Sequence, residues 1–211
     1  MAFDDGYFPL EFKARRGYTV IAGVKTRGCC EVVGIDLQKS LVDGLEATER
    51  IARAVKGLGG DAVLLDGVTY CGFDVVDPWR VHDETGLPVI VVQAYPINME
   101  RISRALSKHF EDHALRFNVI KRVYEAYAIL RTRWRVISFL AIGIDRDEAS
   151  KIIDALSVYS PIPEPLRIAG MIASSVSRLL LSRGGLVLPA GSHHILGGPR
   201  SNQEGARSSA R

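Results

Sequence analysis

The sequence predicts an α/β fold with one mixed sheet between helices. Three observations carry that prediction. Two β-rich runs joined by a short turn lie near the start, and two continuous apolar runs follow with a helical or loop segment between them. Amphipathic helical periodicity fills the spans between and after. The first feature builds an antiparallel hairpin and the second a parallel pair, and a sheet holding both must be mixed.

The elements follow in order. "GYTVIAGVKTRG" and "CCEVVGIDLQ" flank a Thr-Arg-Gly turn and read as the hairpin, which becomes a three-stranded meander if the opening residues also pair. Next, Leu45, Thr48, Ile51, Ala52, Val55 and Leu58 share one helical face, with Glu46/Arg50 and Glu49/Arg53 as i,i+4 pairs opposite and glycines closing the helix. "DAVLLDG" and "LPVIVVQAY" are the two buried strands. Residues 97–128 read mostly as helix, and "RVISFLAIG" returns to strand. "DRDEASKIIDALSVY" is a helix capped by Asp145 or Asp147. A last helix, "PEPLRIAGMIASSVSRLLL", carries Ile168, Met171, Ile172, Ser175, Val176 and Leu179 on the stripe expected to cover the sheet. From about residue 192 the chain is rich in Gly, Ser and Arg without periodicity. Residues 1–191 are therefore read as one domain and 192–211 as a disordered basic tail.

Composition bounds the function. Of 211 residues 47% are apolar and 24% charged, which suits one globular domain. No apolar run approaches the roughly 20 residues of a spanning helix, and no signal-peptide pattern opens the chain, so a cytoplasmic protein without a membrane partner is expected. Cys29, Cys30 and Cys71 suit neither a disulfide framework nor a zinc site and read as buried, reduced thiols. The net charge of +3 lies wholly in residues 183–211, with four Arg and one Glu. Elsewhere charge is segregated: residues 36–100 hold eleven acids and five bases, residues 101–135 nine bases and three acids. An acidic half for cations followed by a basic segment for phosphates is the outline of a nuclease, although solvated helix faces give the same pattern.

The carboxylates give that outline a site. Asp5 ends the expected first strand and Asp66 the expected fourth, Asp43 lies where the chain leaves the third, and each precedes a glycine. Taken singly, Asp-Gly is a common turn dipeptide and Asp43 an N-cap. At one sheet edge, three acids suit Mg²⁺ or Mn²⁺, hard cations that take carboxylate, water and phosphate oxygens. The element order also matches the ribonuclease-H-like fold, in which acids of the first and fourth strands converge.

At these residues a family resemblance enters. "FDDG" at 3–6, "VDGLEAT" at 42–48, "LLDGVTYCGFDVVD" at 64–77, "TGLPVIVV" at 85–92 and "IPEPLRIAG" at 162–170 together resemble the endonuclease dU family, related to endonuclease V. The resemblance covers roughly residues 3–182. It implies a ribonuclease-H-like fold and metal-dependent incision of DNA, damaged duplex or single strand, beside uracil or hypoxanthine. By motif it assigns Asp5 and Asp66 as metal-binding acids and Asp43 as the third, with Glu46 one helical turn away. Asp4 replaces Asp5 if the strand is shifted by one. The chain departs from the pattern in three places. Only three residues precede Asp4, Gly170 stands for the histidine of "PEPLRxAH", and Gln93 lies where endonuclease V has a lysine. A catalytically degenerate nucleic-acid-binding protein of the same fold is the alternative these departures permit.

Further candidates surround the acids. Arg101, Arg104 and Lys108 recur at helical spacing, and Arg131, Arg133 and Arg135 alternate around Trp134 as on a strand face, both able to meet a phosphate backbone. Glu164 and Arg167 open the last helix for capping or phosphate contact. His82, after the fourth strand, is a candidate at the same edge. Tyr7 and Phe8 beside the acids, and likewise Tyr70 and Phe73, are either core buttresses or a wedge and pocket for a flipped base.

Overall fold

The computed structural model describes residues 1–15 and 17–186; the tail proposed from residue 192 lies outside them. Nine strands and seven helices follow in chain order within that span: β1 (Ala2–Asp5), α1 (Glu11–Arg15), β2 (Tyr18–Arg27), β3 (Glu31–Leu41), α2 (Ala47–Leu58), β4 (Val63–Asp66), β5 (Thr69–Tyr70), β6 (Asp74–Val75), α3 (Pro78–Thr85), β7 (Val89–Gln93), α4 (Met99–His109), α5 (His113–Ala126), β8 (Ala128–Arg131), β9 (Val136–Ile142), α6 (Arg146–Leu156) and α7 (Glu164–Ser182). Seven strands form one mixed sheet in the order β3-β2-β1-β4-β7-β9-β8. β1, β4 and β7 run parallel, whereas β2 opposes both β1 and β3. The carboxyl ends of β1, β3, β4 and β7 therefore share one edge, as the acid pattern requires.

Side-chain alternation divides the core. Phe3, Leu65 and Val91 point to the face covered by α2, α3, α4 and α5, while Ala2, Leu64, Ile90 and Val92 point to the face under α6 and α7. Both faces of the central strands are covered, which is why β4 and β7 are apolar without alternation. The hairpin, the meander, the parallel pair and the helix capped by Asp145 stand where the sequence puts them; Asp145 accepts the N–H of Asp147 at 2.8 Å.

Four expectations are corrected. The helical stretch after residue 97 is two helices, α4 and α5, parted at Phe110–Asp112. The buried stripe of α7 is Leu166, Ala169, Ala173 and Ser177, while Met171 and Leu179 are half-exposed. Small residues face the sheet because the helix lies almost on it: a side chain at Gly6 would place its Cβ 2.6 Å from the Ala173 carbonyl oxygen. Arg131, Arg133 and Arg135 do not share a strand face, since β8 ends at Arg131 and a turn follows in which Thr132 N–H donates to the Arg135 carbonyl. Of the cysteines only Cys71 is buried; Cys30 is exposed and Cys29 half-exposed, and all three are free thiols.

Candidate metal and nucleic-acid site

The parallel ladder between β1 and β4 stops one residue before the acids. Leu64 N–H donates to Met1 O at 2.8 Å, and the register pairs Phe3 with Leu65. Further along, the Tyr70 hydroxyl enters between the strands. It donates to Phe3 O at 2.9 Å and accepts the N–H of Asp66 at 3.1 Å. This phenol, fully buried, replaces a direct backbone bond and holds the strands apart where Asp4 and Asp66 leave them. A crevice at the carboxyl ends of neighbouring parallel strands is the usual ligand position of an open α/β sheet.

Alternation then sorts the acids. Asp4 follows Ala2 and Asp66 follows Leu64, so both carboxylates belong to the α7 face. Asp4 Oδ1 accepts the N–H of Asp5 at 2.8 Å; its Oδ2 lies against Gly170, where any Cβ would overlap it. Among the described residues no donor reaches the Asp66 carboxylate, and no cation pairs with either acid. Burial, with the charges of Asp66 and Asp5 added, pushes the Asp4 carboxyl up to about 8, and burial raises Asp66 to about 6. Two half-buried acids share a crevice without a compensating positive charge.

Asp5 faces the other way. Its Oδ2 accepts the N–H of Cys71 at 2.7 Å; burial raises its carboxyl to about 7 against that hydrogen bond. Asp43, with a left-handed φ of 59°, donates its N–H to Cys71 O at 2.8 Å and accepts Phe73 N–H on Oδ1 at 2.8 Å. The sequence favours Asp5 as the first-strand acid facing Asp66; the structure puts Asp4 beside Asp66 and leaves Asp5 and Asp43 holding the 71–73 turn. Asp43 is not the N-cap of α2, because Glu46 occupies that position. The capping carboxylate comes from Asp74, fully buried, which accepts from Glu46 N at 3.2 Å and Ala47 N at 3.1 Å. Burial raises Asp74 to about 6, opposed by those N–H groups and by Arg116.

The remaining candidates scatter. Glu46 receives Arg50 Nε at 3.0 Å and is committed to that pair. Glu164 is buried and accepts from Arg167 Nε at 2.7 Å and Tyr159 N at 3.3 Å. It lies six residues, about 9 Å of helix, before Gly170. His82 sits at the opposite edge, its Nδ1 2.7 Å from Leu87 O ahead of β7 and its ring against Gly143 beyond β9. Arg133 donates to the carbonyls of Ser157 and Val158 at 2.8 Å each. Arg101, Arg104 and Lys108 are exposed on α4. Tyr7 is half-exposed with the Arg178 guanidinium 4.0 Å from its ring centre.

Phe73 lines a cavity of about 920 Å³ with Lys13, Val42, Asp43, Phe110 and Arg116, and meets Phe110 edge-on at 5.7 Å. Arg116, almost fully buried, binds Asp112 at 2.8 Å and donates to the carbonyls of Gly44 and Phe73. Asp74 and Arg116 are the functional-edge residues that sequence reasoning did not single out; Tyr70, a candidate buttress or wedge, proves to be fully buried between the strands. Asp74 stands inside the motif "GFDVVD"; Arg116 has a local i,i+4 partner in Asp112, but the carbonyls that place it at this edge lie 43 and 72 residues away.

Among the described residues no group of three His, Cys, Asp or Glu side chains is gathered for a metal. Two carboxylates nonetheless fit Mg²⁺ or Mn²⁺, which complete their shells with water and substrate oxygens. No helix among the described residues is long and apolar enough to cross a membrane.

Fold and crevice together define a class: mixed-sheet α/β proteins with acids at the carboxyl ends of neighbouring central strands. Within it, the chain belongs to the endonuclease dU family, whose sequence profile matches residues 1–177, and by family it is an endonuclease acting on DNA. A UPF0215 protein of Pyrococcus furiosus is 42% identical over 182 residues, covering 84% of this chain and 91% of the relative. One from Methanosarcina acetivorans is 40% identical over 163 residues, covering 74% and 82%. A solved protein of unknown function from Archaeoglobus fulgidus is 27% identical with a TM-score of 0.69, covering 83% of this chain and 95% of that one. Endonuclease V of Ciona intestinalis, solved with DNA containing an inosine followed by a ribo-adenosine, shares the fold at 16% identity and a TM-score of 0.53, covering 86% and 85%.

Proposed function

We propose that the protein is a divalent-metal-dependent endonuclease that hydrolyses a phosphodiester in DNA beside a deaminated base, uracil or hypoxanthine, with Asp4 and Asp66 as the carboxylate ligands of Mg²⁺ or Mn²⁺. The observation that carries the reading is the pair itself: two acids without a cation, on one face of adjacent parallel strands, where Tyr70 holds the ladder open. Bound there, the cation supplies charge neutralisation for the phosphodiester and lowers the pKa of water toward neutrality. Asp5 and Asp43 keep the 71–73 turn in place and so position Phe73 at the cavity wall. That cavity, walled by two aromatic rings with a few converging polar groups, suits an extruded base. Arg101, Arg104 and Lys108 present an exposed basic row for the DNA backbone, whereas Arg133 and Arg167 are engaged with protein groups.

The test is Asp66→Asn on duplexes containing uracil or hypoxanthine, with Mg²⁺, Mn²⁺ or chelator. Cleavage is expected to fall on the order of 1000-fold while folding and DNA affinity persist, matching the several kcal/mol of charge stabilisation a metal supplies. Undiminished cleavage contradicts the assignment. Binding by the wild type without nicking in any metal would instead identify a degenerate relative.

A further inference from the structure

The turn between β8 and β9 sets exposed aromatic rings and arginines at the sheet edge that carries the acids. From Ala128 to Ile142 the chain holds three arginines and no acid. β9 runs antiparallel to β7, so its first residue, Val136, lies at the carboxyl end of β7. Val92 of β7 pairs with Asp66 on one side and Phe139 on the other. The turn Thr132–Arg135 therefore stands two strand spacings, roughly 10 Å, sideways from Asp66, and beyond it along the strand direction. Trp134 in this turn is 47% exposed, and Tyr95, just past β7, is 61% exposed. The Arg135 guanidinium lies 4.8 Å from the Tyr95 ring centre and that of Arg133 5.2 Å from the Trp134 ring centre. Exposed aromatics scattered singly are ordinary, but these two rings are interleaved with arginines at one corner of the sheet.

Neither ring hangs on a loose loop. Thr132 Oγ1 accepts the N–H of Trp134 at 3.2 Å and that of Arg135 at 3.1 Å, and donates to Arg135 O at 2.8 Å. Arg133 ties the turn to the residues just past α6 through the carbonyls of Ser157 and Val158, and Gln93 Nε2 donates to Tyr95 O at 2.9 Å. Arg131 and Arg135 are exposed and form no ion pair among the described residues.

We infer that Trp134 and Tyr95, with Arg135, form a stacking platform for unpaired bases of DNA, so that the strand passes from the crevice at Asp66 onto this corner as a single strand. Every base has a π-face that an aromatic ring can cover, and a duplex keeps those faces inside its own stack. A surface built for duplex alone needs cations for phosphates and gains nothing from two open rings. Rings already fixed by the turn are ordered before the strand arrives, which lowers the entropy lost on binding. The inference rests on the proposed nuclease reading for the crevice the strand leaves, and the test separates the two.

The probes are a lesion-free oligothymidine and a lesion-free blunt duplex of the same length, titrated in Ca²⁺ by fluorescence anisotropy against the full chain. Trp134→Ala and Tyr95→Ala are each expected to weaken oligothymidine binding about 10-fold, as for one lost base–aromatic stack, and to leave duplex affinity within about twofold. Trp134→Phe, which keeps a ring, should restore most of the loss. Melting temperatures should stay near the wild type, since both side chains are largely exposed. Unchanged oligothymidine affinity in both alanine variants overturns the inference and leaves the nuclease reading standing. An equal loss on single strand and duplex also overturns it, because the corner would then serve phosphates or the fold and not bases. So does a wild type that binds no oligothymidine but forms a dimer that Trp134→Ala breaks, which would assign the surface to a second copy of the chain. A wild type that never cuts in any metal overturns the nuclease reading, and the oligothymidine comparison still decides whether the platform exists.

Discussion

Two sets of aspartates share one sheet edge and live in opposite conditions. On the α2 face, Asp5, Asp43 and Asp74 each accept backbone N–H groups from the 71–73 turn or the start of α2. On the α7 face, Asp4 and Asp66 have no cation and stand where the strands separate. The first set closes loops; the second has no partner cation among the described residues, and its carboxyls are raised. An acid therefore does not announce its role by being at the edge, and the face it takes decides whether it is scaffold or site.

That contrast can be broken from the scaffold side first. Asp74→Ala strips the acceptor of two backbone N–H groups, Glu46 and Ala47, and with it the cap of α2, and should cost about 3 kcal/mol, lowering the melting temperature by roughly 6 to 12 °C. Thermal unfolding monitored by circular dichroism checks it, and a loss no larger than that of Asp66→Asn would erase the distinction between the sets. A smaller effect comes from Gly170→Ala. Alanine gains about 1 kcal/mol in helix propensity, yet its Cβ must displace the Asp4 carboxylate. Stability should be held or improved while cleavage falls about 10-fold, an order-of-magnitude expectation for a slightly misplaced site group. Full cleavage by that variant would show that Asp4 does not need its observed position.

Much of the architecture was readable because apolar runs and turn glycines are local signals. The hairpin, the parallel pair β4–β7, α2 and the Asp145 cap all followed from short windows. What was not readable depends on parity or distance. Choosing between Asp4 and Asp5 is a one-residue question of strand register, and one residue exchanges the faces. The buried stripe of α7 is made of Leu, Ala and Ser, since the helix backbone approaches Gly6, so the more hydrophobic stripe beside it misleads. His82 was misplaced because α3 carries it back across the sheet to the far edge. Arg116 and Tyr70 act through partners far along the chain, which a scan of neighbours does not connect.

The central claim is that Asp4 and Asp66, and not Asp5, hold the divalent cation. Mn²⁺ titration of the wild type, Asp4→Asn, Asp66→Asn and Asp5→Asn at pH 8 tests it most directly. The two site carboxyls are raised above their unfolded values, so their protonated forms favour the folded state. That stability is present below about pH 4 and is lost as pH rises through about 6 for Asp66 and about 8 for Asp4. A cation that needs them ionised binds more weakly at pH 6 than at pH 8. The account predicts that Asp4→Asn and Asp66→Asn lose Mn²⁺ binding and, relieved of like charge, melt higher than the metal-free wild type at pH 8, while Asp5→Asn still binds Mn²⁺. Retained binding in Asp4→Asn together with loss in Asp5→Asn would contradict it.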